Sequence, residues 1–423
     1  MYSFNFEEIS TKCVKCGKCI QVCTIYGINK DEVTSPRGYL DLLGACNNGS
    51  LKLDKNLKNI FESCFLCTNC VEVCPNSLRV DTAIENIRYE IAKTHGVALY
   101  KKAAFWLLGH RKILDLCARL GYVFQSCAFK IHKDNEFGNT MKARFSIPML
   151  KKERTLPTAS KKSFMNSHEE FIDNGGEKTV GLFIGCMGNY AYTNIGESVL
   201  KIAKELKLNV HLMKKQACCG AAAYFTGCFK EVEKAAKFNI PYFEKMLESL
   251  DAIIIPEATC SAMIKIDYVH FFHNDKNWQE RAKKVSQKIF LATEYFDKFT
   301  NLGEILSTKS KINKTLTYHD PCHAKKMQGV FKEPRNLLSK NYDFVEIDDQ
   351  NSCCGFGGVT MQTGKYHLSR EVGIKRAEQI NKTNASIVSA ECSACRMQLS
   401  NALNLIDSKT KFKNPIELIA EVL

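Results

Sequence analysis

The sequence is constrained first by Cys353-Cys354-Gly355 and the thiols around it, Cys322 upstream and Cys392 and Cys395 downstream. An earlier copy comprises Cys186, the doublet Cys218-Cys219-Gly220, and Cys260. Equivalent cysteines lie 136, 135 and 132 residues apart, so the copies are nearly in register. A doublet followed by glycine, flanked by thiols on both sides and then repeated, is a ligand framework and not a chance recurrence. Any fold of this chain must bring three separated segments of each copy to one point.

Two shorter frameworks precede the copies. Cys13, Cys16, Cys19 and Cys23 are spaced x2, x2, x3, and Cys64, Cys67, Cys70 and Cys74 repeat that spacing before Pro75. This is the bacterial ferredoxin run, in which three close thiolates hold one iron–sulfur cube and the fourth reaches the other cube. Short gaps let a tight loop wrap one cube, and the longer step turns the fourth thiolate away. Cys13, Cys16, Cys19 and Cys74 are therefore expected to hold one 4Fe-4S cluster, and Cys64, Cys67, Cys70 and Cys23 a second. A structural zinc site would not need two matched sets of four. Cys23 is followed by Thr24 in place of proline, which alters the turn but removes no ligand. The forty residues between the runs predict a short helical insertion, in which Cys46 fits no pattern and reads as a lone thiol.

With 21 cysteines in 423 residues, the chain falls below the density of a disulfide scaffold. The start, MYSFNFEEIS, lacks the basic and apolar regions of a secretory signal. Thiols without a signal point to a reducing compartment and to metal binding, so a cytoplasmic protein is expected. No uncharged apolar run is long enough to span a bilayer. The net charge of +14 comes mainly from dispersed lysines. It reads as a solvated basic surface or as attraction to an anionic membrane face or acidic partner. No nucleic-acid motif or basic patch appears.

Residues 82–130 are expected to be helical, with Gly109 and Gly121 as candidate breaks. The stretch 98–130 mixes apolar Phe105, Trp106, Leu107, Leu108, Ile113, Leu114 and Leu116 with Lys101, Lys102, His110, Arg111, Lys112 and Arg119. Such spacing usually faces a core, the alternative being a membrane interface or partner. Cys117 and Cys127 have no cluster spacing. Residues 131–178 are polar and read as a linker. From Val180 short β-rich runs alternate with amphipathic helices, each thiol group following a strand end, a pattern of largely parallel pairing. Sites in such sheets gather beyond the carboxyl ends of the strands. The expected fold is an α+β ferredoxin-like, helix-rich two-cluster module followed by two repeated α/β domains. The expected divisions are 1–95 for the two-cluster module, 96–130 helical, 131–178 linker, 179–307 first repeat and 308–423 second repeat.

The repeats differ in ligand count. The second offers Cys322, Cys353, Cys354, Cys392 and Cys395, and is expected to hold a further iron–sulfur cluster. The first offers Cys186, Cys218, Cys219 and Cys260, because Met263 stands where the second has Cys395. A thioether is a poor iron ligand beside thiolates. The first site is read as a cluster on four thiolates, with zinc or an empty remnant as alternatives. His319 and His323 flank Cys322 and either hydrogen-bond a cluster sulfur or fill the loop. His270 and His273 read as surface or packing residues. No catalytic residue is assigned. No Gly-rich dinucleotide fingerprint follows a strand, so neither FAD nor NAD is expected on this chain.

Two ferredoxin runs followed by two CCG domains form a family pattern. Together with Ser35-Pro36-Arg37-Gly38-Tyr39-Leu40, "GCMGNYAYTNIGES", "ACCGAAAYF" and "CCGFGG", it resembles the glycolate oxidase iron–sulfur subunit family. Relatives in lactate utilisation, anaerobic glycerol-3-phosphate oxidation and heterodisulfide reduction share the layout. The resemblance implies an electron-transfer subunit of an oxidoreductase complex. A separate FAD-linked 2-hydroxyacid dehydrogenase subunit would supply electrons that pass towards the quinone pool, with a peripheral contact on the cytoplasmic membrane. The intact Cys392-x2-Cys395 pair is equally like the lactate and heterodisulfide reductase relatives. In the latter, a CCG-bound cluster attacks a disulfide directly. A zinc-bearing structural subunit is the third reading.

Overall fold

The structure, a computed structural model, describes residues 2, 4–145 and 150–423. Between the ferredoxin runs, the helix Pro36–Asn47 starts on Ser35, whose hydroxyl accepts from the Gly38 N–H, with Pro36 in the first turn. A Cβ on Gly38 would lie 2.1 Å from the Glu32 carbonyl oxygen, so only glycine lets the chain pass. The helix buries Tyr39, Leu40 and Leu43 against Phe61, Ile84, Ile87 and Ile91 of the helices Lys55–Phe61 and Val80–His95. The first module is helix-rich, as expected. Among the described residues before 129, however, no strand of an α+β ferredoxin-like fold is present. Helices of the forty-residue insertion cover the cysteine loops instead.

The stretch expected to be helical forms Val80–His95, Leu99–Gly109 and Arg111–Ala128. Gly109 marks a break; Gly121 lies inside the last helix and does not interrupt it.

Residues 131–178 are not a free tether. β1 (Phe129–His132), β2 (Thr140–Ala143) and β3 (Leu156–Pro157) form an antiparallel sheet in that order. The Thr155 N–H donates to Asn401 Oδ1 at 2.8 Å, and Arg154 donates to the Gln362 carbonyl at 2.8 Å, fastening the segment to the second repeat. Phe164 and Met165 are buried, and β4 (Phe171–Ile172) extends the next sheet. Much of this segment is anchored by hydrogen bonds, which leave no apolar period to read. Residues 146–149 lie outside the described residues.

Each repeat is an open α/β sheet. The first contains β5 (Thr179–Leu182), β6 (Asn209–Leu212), β7 (Ala252–Ile255) and β8 (Ile289–Leu291), ordered β4-β6-β5-β7-β8. All neighbours are parallel except β4 with β6. The second contains β9 (Ile312–Tyr318), β10 (Tyr342–Phe344), β11 (Ile387–Ser389) and β12 (Lys411–Phe412), ordered β10-β9-β11-β12 and entirely parallel. The order β6-β5-β7 thus recurs as β10-β9-β11. Strand β7, Ala-Ile-Ile-Ile, is buried throughout, as parallel strands covered on both faces must be. One core runs through both repeats, joining Val180, Leu182 and Val199 to Leu316, Tyr318 and Ile416.

Candidate metal centres

In both ferredoxin runs the residues beside the second cysteine adopt left-handed backbone. They are Lys15 (φ 55) and Gly17 (φ 78) in the first, and Leu66 (φ 51) and Thr68 (φ 59) in the second. These paired reversals wrap three thiols around one point, at a steric cost for the non-glycine residues. The short helices Lys18–Gln21 and Asn69–Glu72 then carry Cys23 and Cys74 away from their own loops. The structure brings Cys23, Cys64, Cys67 and Cys70 around one cavity beside Tyr39. Cys13, Cys16, Cys19 and Cys74 line another, with Cys70 reaching its wall. Burial pushes the Cys23 and Cys64 thiols up to about 12, and Cys70 well above its ordinary value. Thiolates crowded this closely need a cation between them, and an iron–sulfur cube fits such a donor set. Arg88, 3% exposed, donates to the carbonyls of Phe61 (3.2 Å), Cys64 (2.7 Å) and Phe225 (2.9 Å), clamping the second loop to the first repeat.

In the second repeat all three thiol segments follow strand ends. β9 leads to Cys322 at the start of the helix Cys322–Gln328, β10 leads to the doublet, and β11 leads to Cys392, the cap of the helix Ser393–Leu405. Cys354 and Cys395 Sγ lie 3.5 Å apart, Cys353 contacts Cys354, and Cys392 contacts Cys395. Cys322 faces Cys353 and Cys354. All five thiols therefore meet. The turn depends on Gly355, at φ +87, where a Cβ would stand 2.8 Å from the Gly373 nitrogen; its N–H donates to Cys353 Sγ at 3.3 Å. Hydrogen bonds from Cys353 and then Cys395 hold the Cys354 thiol down to about 6.

His319 completes this pocket, its ligand atom lying within 4.8 Å of the Cys354 and Cys395 sulfurs. Arg376 Nε donates to His319 Nδ1 at 3.0 Å. A guanidinium has no acceptor, so the Nδ1 lone pair is occupied and the neutral ring carries its proton on Nε2. Burial, and then the Arg376 charge, keep the imidazole well below its ordinary pKa. His319 is thus placed as a donor, not a ligand. Spacing alone left its role open, because Arg376 is 57 residues away. His323 stacks on Phe225 at 5.4 Å.

The first repeat repeats this geometry with four thiols. Cys186 lies in the helix Gly185–Tyr190 after β5, the doublet follows β6, and Cys260 lies in the helix Ala258–Ala262 after β7. Cys219 and Cys260 Sγ are 3.3 Å apart, Cys186 contacts Cys218, and the Gly220 N–H reaches Cys218 Sγ at 3.5 Å. Met263 is wholly buried among apolar residues. The four thiols suit either a cluster or zinc by donor chemistry. Cys186 and Cys218 open onto a groove of about 850 Å³ that the helices Leu99–Gly109 and Arg111–Ala128 help to line.

The four sites form a contiguous series. Cys70 reaches the walls of both ferredoxin-type cavities. The Cys67 thiol touches Cys353 of the second repeat. Thr259, beside Cys260 of the first repeat, has its hydroxyl 3.5 Å from Cys392 Sγ and 3.4 Å from His323 Nδ1. Lys365 of the second repeat locks the modules together by donating to the Asn59 carbonyl (2.6 Å), Asn59 Oδ1 (2.6 Å) and Ser63 Oγ (2.7 Å). Cys46, Cys117 and Cys127 join no group. Cys228, also outside every spacing pattern, is buried in the first repeat's core. His270 and His273 are exposed.

Residues 9–78 match the family described as 4Fe-4S dicluster domain, and residues 180–265 and 316–400 each match the cysteine-rich domain family, CCG. The chain is 30% identical over 247 residues to lactate utilization protein A of Bacillus subtilis (strain 168), covering 58% of this chain and 98% of that protein. It is 26% identical over 401 residues to the probable glycolate oxidase iron-sulfur subunit of the same organism, covering 92% and 87%. One of the subunits of the fumarate reductase (CoM/CoB) of Methanothermobacter marburgensis is also 26% identical over 401 residues, covering 92% of this chain and 68% of that one. With its dicluster module and paired thiol-lined repeats, this chain belongs to the glycolate oxidase iron–sulfur subunit family, whose relatives include lactate utilization and fumarate reductase subunits.

Proposed function

We propose that the chain is the electron-carrying subunit of a flavin-dependent 2-hydroxyacid dehydrogenase, with glycolate as the expected substrate. It takes electrons from an FAD-bearing partner and passes them towards the quinone pool at the inner face of the cytoplasmic membrane. The observation that carries this reading is the unbroken contact series from Cys13, Cys16, Cys19 and Cys74 through Cys67–Cys353 and Cys392–Thr259 to Cys260. Iron–sulfur clusters supply one-electron carriers whose potentials respond to hydrogen bonds, charge and exposure. The chain supplies the rest. Cys13, Cys16, Cys19 and Cys74 hold the first cluster, Cys64, Cys67, Cys70 and Cys23 the second, and the five thiols of the second repeat the third. Cys186, Cys218, Cys219 and Cys260 hold a fourth, with zinc as the alternative there. Arg88 and Lys365 fix the spacing between stations. Buried Phe65, Ile25 and Met361 keep water from the Cys67–Cys353 junction. Cys16, exposed beside Lys15 and Lys18, is the entry end.

A second reading gives the second repeat a catalytic, heterodisulfide reductase-like role. Its support is the five-thiol set, with Cys354 held down to about 6. Against it, Cys354, Cys392 and Cys395 are all buried.

The test is purification of the tagged chain, anaerobically and with its partner, followed by separate additions of glycolate, D-lactate, L-lactate and glycerol 3-phosphate. Bleaching of the visible absorbance by one of them identifies the complex. No bleaching, with a flavoprotein present and the clusters reducible by dithionite, overturns the relay in favour of thiol chemistry.

A further inference from the structure

The helix Arg111–Ala128 has no buried residue, although it is amphipathic and 18 residues long. Ile113, Leu116, Leu120, Val123 and Phe124 are between 40 and 60% exposed. With exposed Cys117 and Cys127 they recur at helical spacing and fall on one arc of about 120° at 100° per residue. The opposite face, Leu114, Asp115, Ala118 and Gln125, is the half-buried side that meets the protein. An apolar stripe directed away from the core requires something to cover it.

Charge indicates what covers it. From residue 96 to 130 the chain carries six Lys or Arg and a single acid, Asp115. That acid is turned inward, where Asp115 accepts from Tyr190 at 2.6 Å and from Asn166 at 3.3 Å. Lys112 and Arg119 are exposed along one edge of the stripe, while Trp106 of the preceding helix is 53% exposed. Cations bordering an apolar face with exposed aromatics match a helix lying in an anionic lipid interface. A second copy of the same face would set cation against cation. The same two helices help line the groove leading to Cys186 and Cys218.

The geometry points to the helix Arg111–Ala128 as a docking surface for an anionic membrane, which places the first repeat's site at the lipid boundary. The docking stands on the helix alone; its purpose, delivery of electrons to a lipid-soluble acceptor, rests on the relay proposed above.

The test uses the full chain with its clusters, sedimented with vesicles of phosphatidylglycerol and phosphatidylcholine in equal parts, and with phosphatidylcholine alone. The intact chain is expected to bind the anionic vesicles, to bind the neutral ones weakly, and to be released by salt. Leu120→Glu with Phe124→Glu should lower anionic-vesicle partitioning at least tenfold. Because both sites are exposed, iron content and visible absorbance should not change. Lys112→Gln with Arg119→Gln should weaken binding and flatten its salt dependence. Failure of the intact chain to bind anionic vesicles at low salt, or equal binding by the Glu double variant, overturns the proposal. Dependence of flavoprotein binding on Leu120 and Phe124, without vesicle binding, would assign the face to a protein partner and also overturn it. Substrate bleaching of the double variant reports on the relay separately: bleaching without vesicle binding leaves the relay standing, and its loss in both chains condemns the relay alone.

Discussion

Replacing His319 with leucine isolates one hydrogen bond at the second repeat's site. The Arg376 contact to Nδ1 obliges Nε2 to carry the proton, and the ring stands beside Cys354 and Cys395. A donor near a sulfur favours the reduced, more negative state of a cluster held there. A single hydrogen bond is worth about 1 kcal/mol. With tenfold equal to about 1.4 kcal/mol, or about 59 mV for one electron, its loss should lower the potential by about 40 mV. The assay is a redox titration followed by electron paramagnetic resonance, reading the second repeat's signal apart from the ferredoxin-type ones. His319→Gln should restore most of the potential, because the amide accepts from Arg376 and still donates. Since His319 is held neutral, neither variant should change the pH dependence of the potential above pH 6.5. The leucine variant also leaves Arg376 Nε unpaired, costing about 1–3 kcal/mol in urea unfolding. That cost reports on packing and should not follow the potential. A leucine variant titrating within about 10 mV of the parent, or shifted upward, would refute the donor assignment.

Cys64→Ser, Cys67→Ser and Cys353→Ser should each stop electron flow from the hydroxy acid to quinone while the partner still reduces a soluble dye; normal quinone reduction by the Cys67 variant would sink the relay. Gly355→Ala forces a left-handed residue against the Gly373 nitrogen, which should cost about 1–3 kcal/mol of stability. Iron should be lost from the second repeat but kept by the dicluster module, as iron analysis would check. Burial raises the Asp267 carboxyl to about 7, with His323 opposing, and Asp267 Oδ2 has no hydrogen-bond partner. The folded state then holds a proton that the unfolded chain releases near pH 4. Stability from this group is full below that pH and is lost as pH rises towards 7. Asp267→Asn should flatten that fall in thermal unfolding followed from pH 4 to 8.

The thiol framework was legible because iron–sulfur ligation fixes residue type and spacing together. The strand ends were legible because buried parallel strands read as apolar runs, such as Ala252–Ile255. Residues 131–178 misread as a linker because Arg154 and Thr155 secure them by hydrogen bonds to Gln362 and Asn401, more than 200 residues away. The helix Arg111–Ala128 has the periodicity of a core helix, and only the three-dimensional fold shows that its stripe faces outward. The role of Arg376 was hidden for the same reason: its partner, His319, belongs to a different strand–helix unit.

The two repeats share one design but occupy different places in the series. The second repeat's site lies between Cys67 on one side and Thr259 on the other, with Cys354, Cys392 and Cys395 buried and Cys322 and Cys353 half-buried. The first repeat's site opens through Cys186 and Cys218 onto the groove. An internal station of a relay needs close neighbours and no solvent, whereas a terminal station needs access for its acceptor. Met263 replaces the fifth thiol only at the accessible end. Met263 itself is wholly buried in the first repeat's apolar core, so it fills the fifth position as a packing residue and leaves that site four thiols. In the proposed relay the second repeat's cluster, with neighbours on both sides, is expected to resist air longer than the first's, as loss of visible absorbance on exposure to air would check.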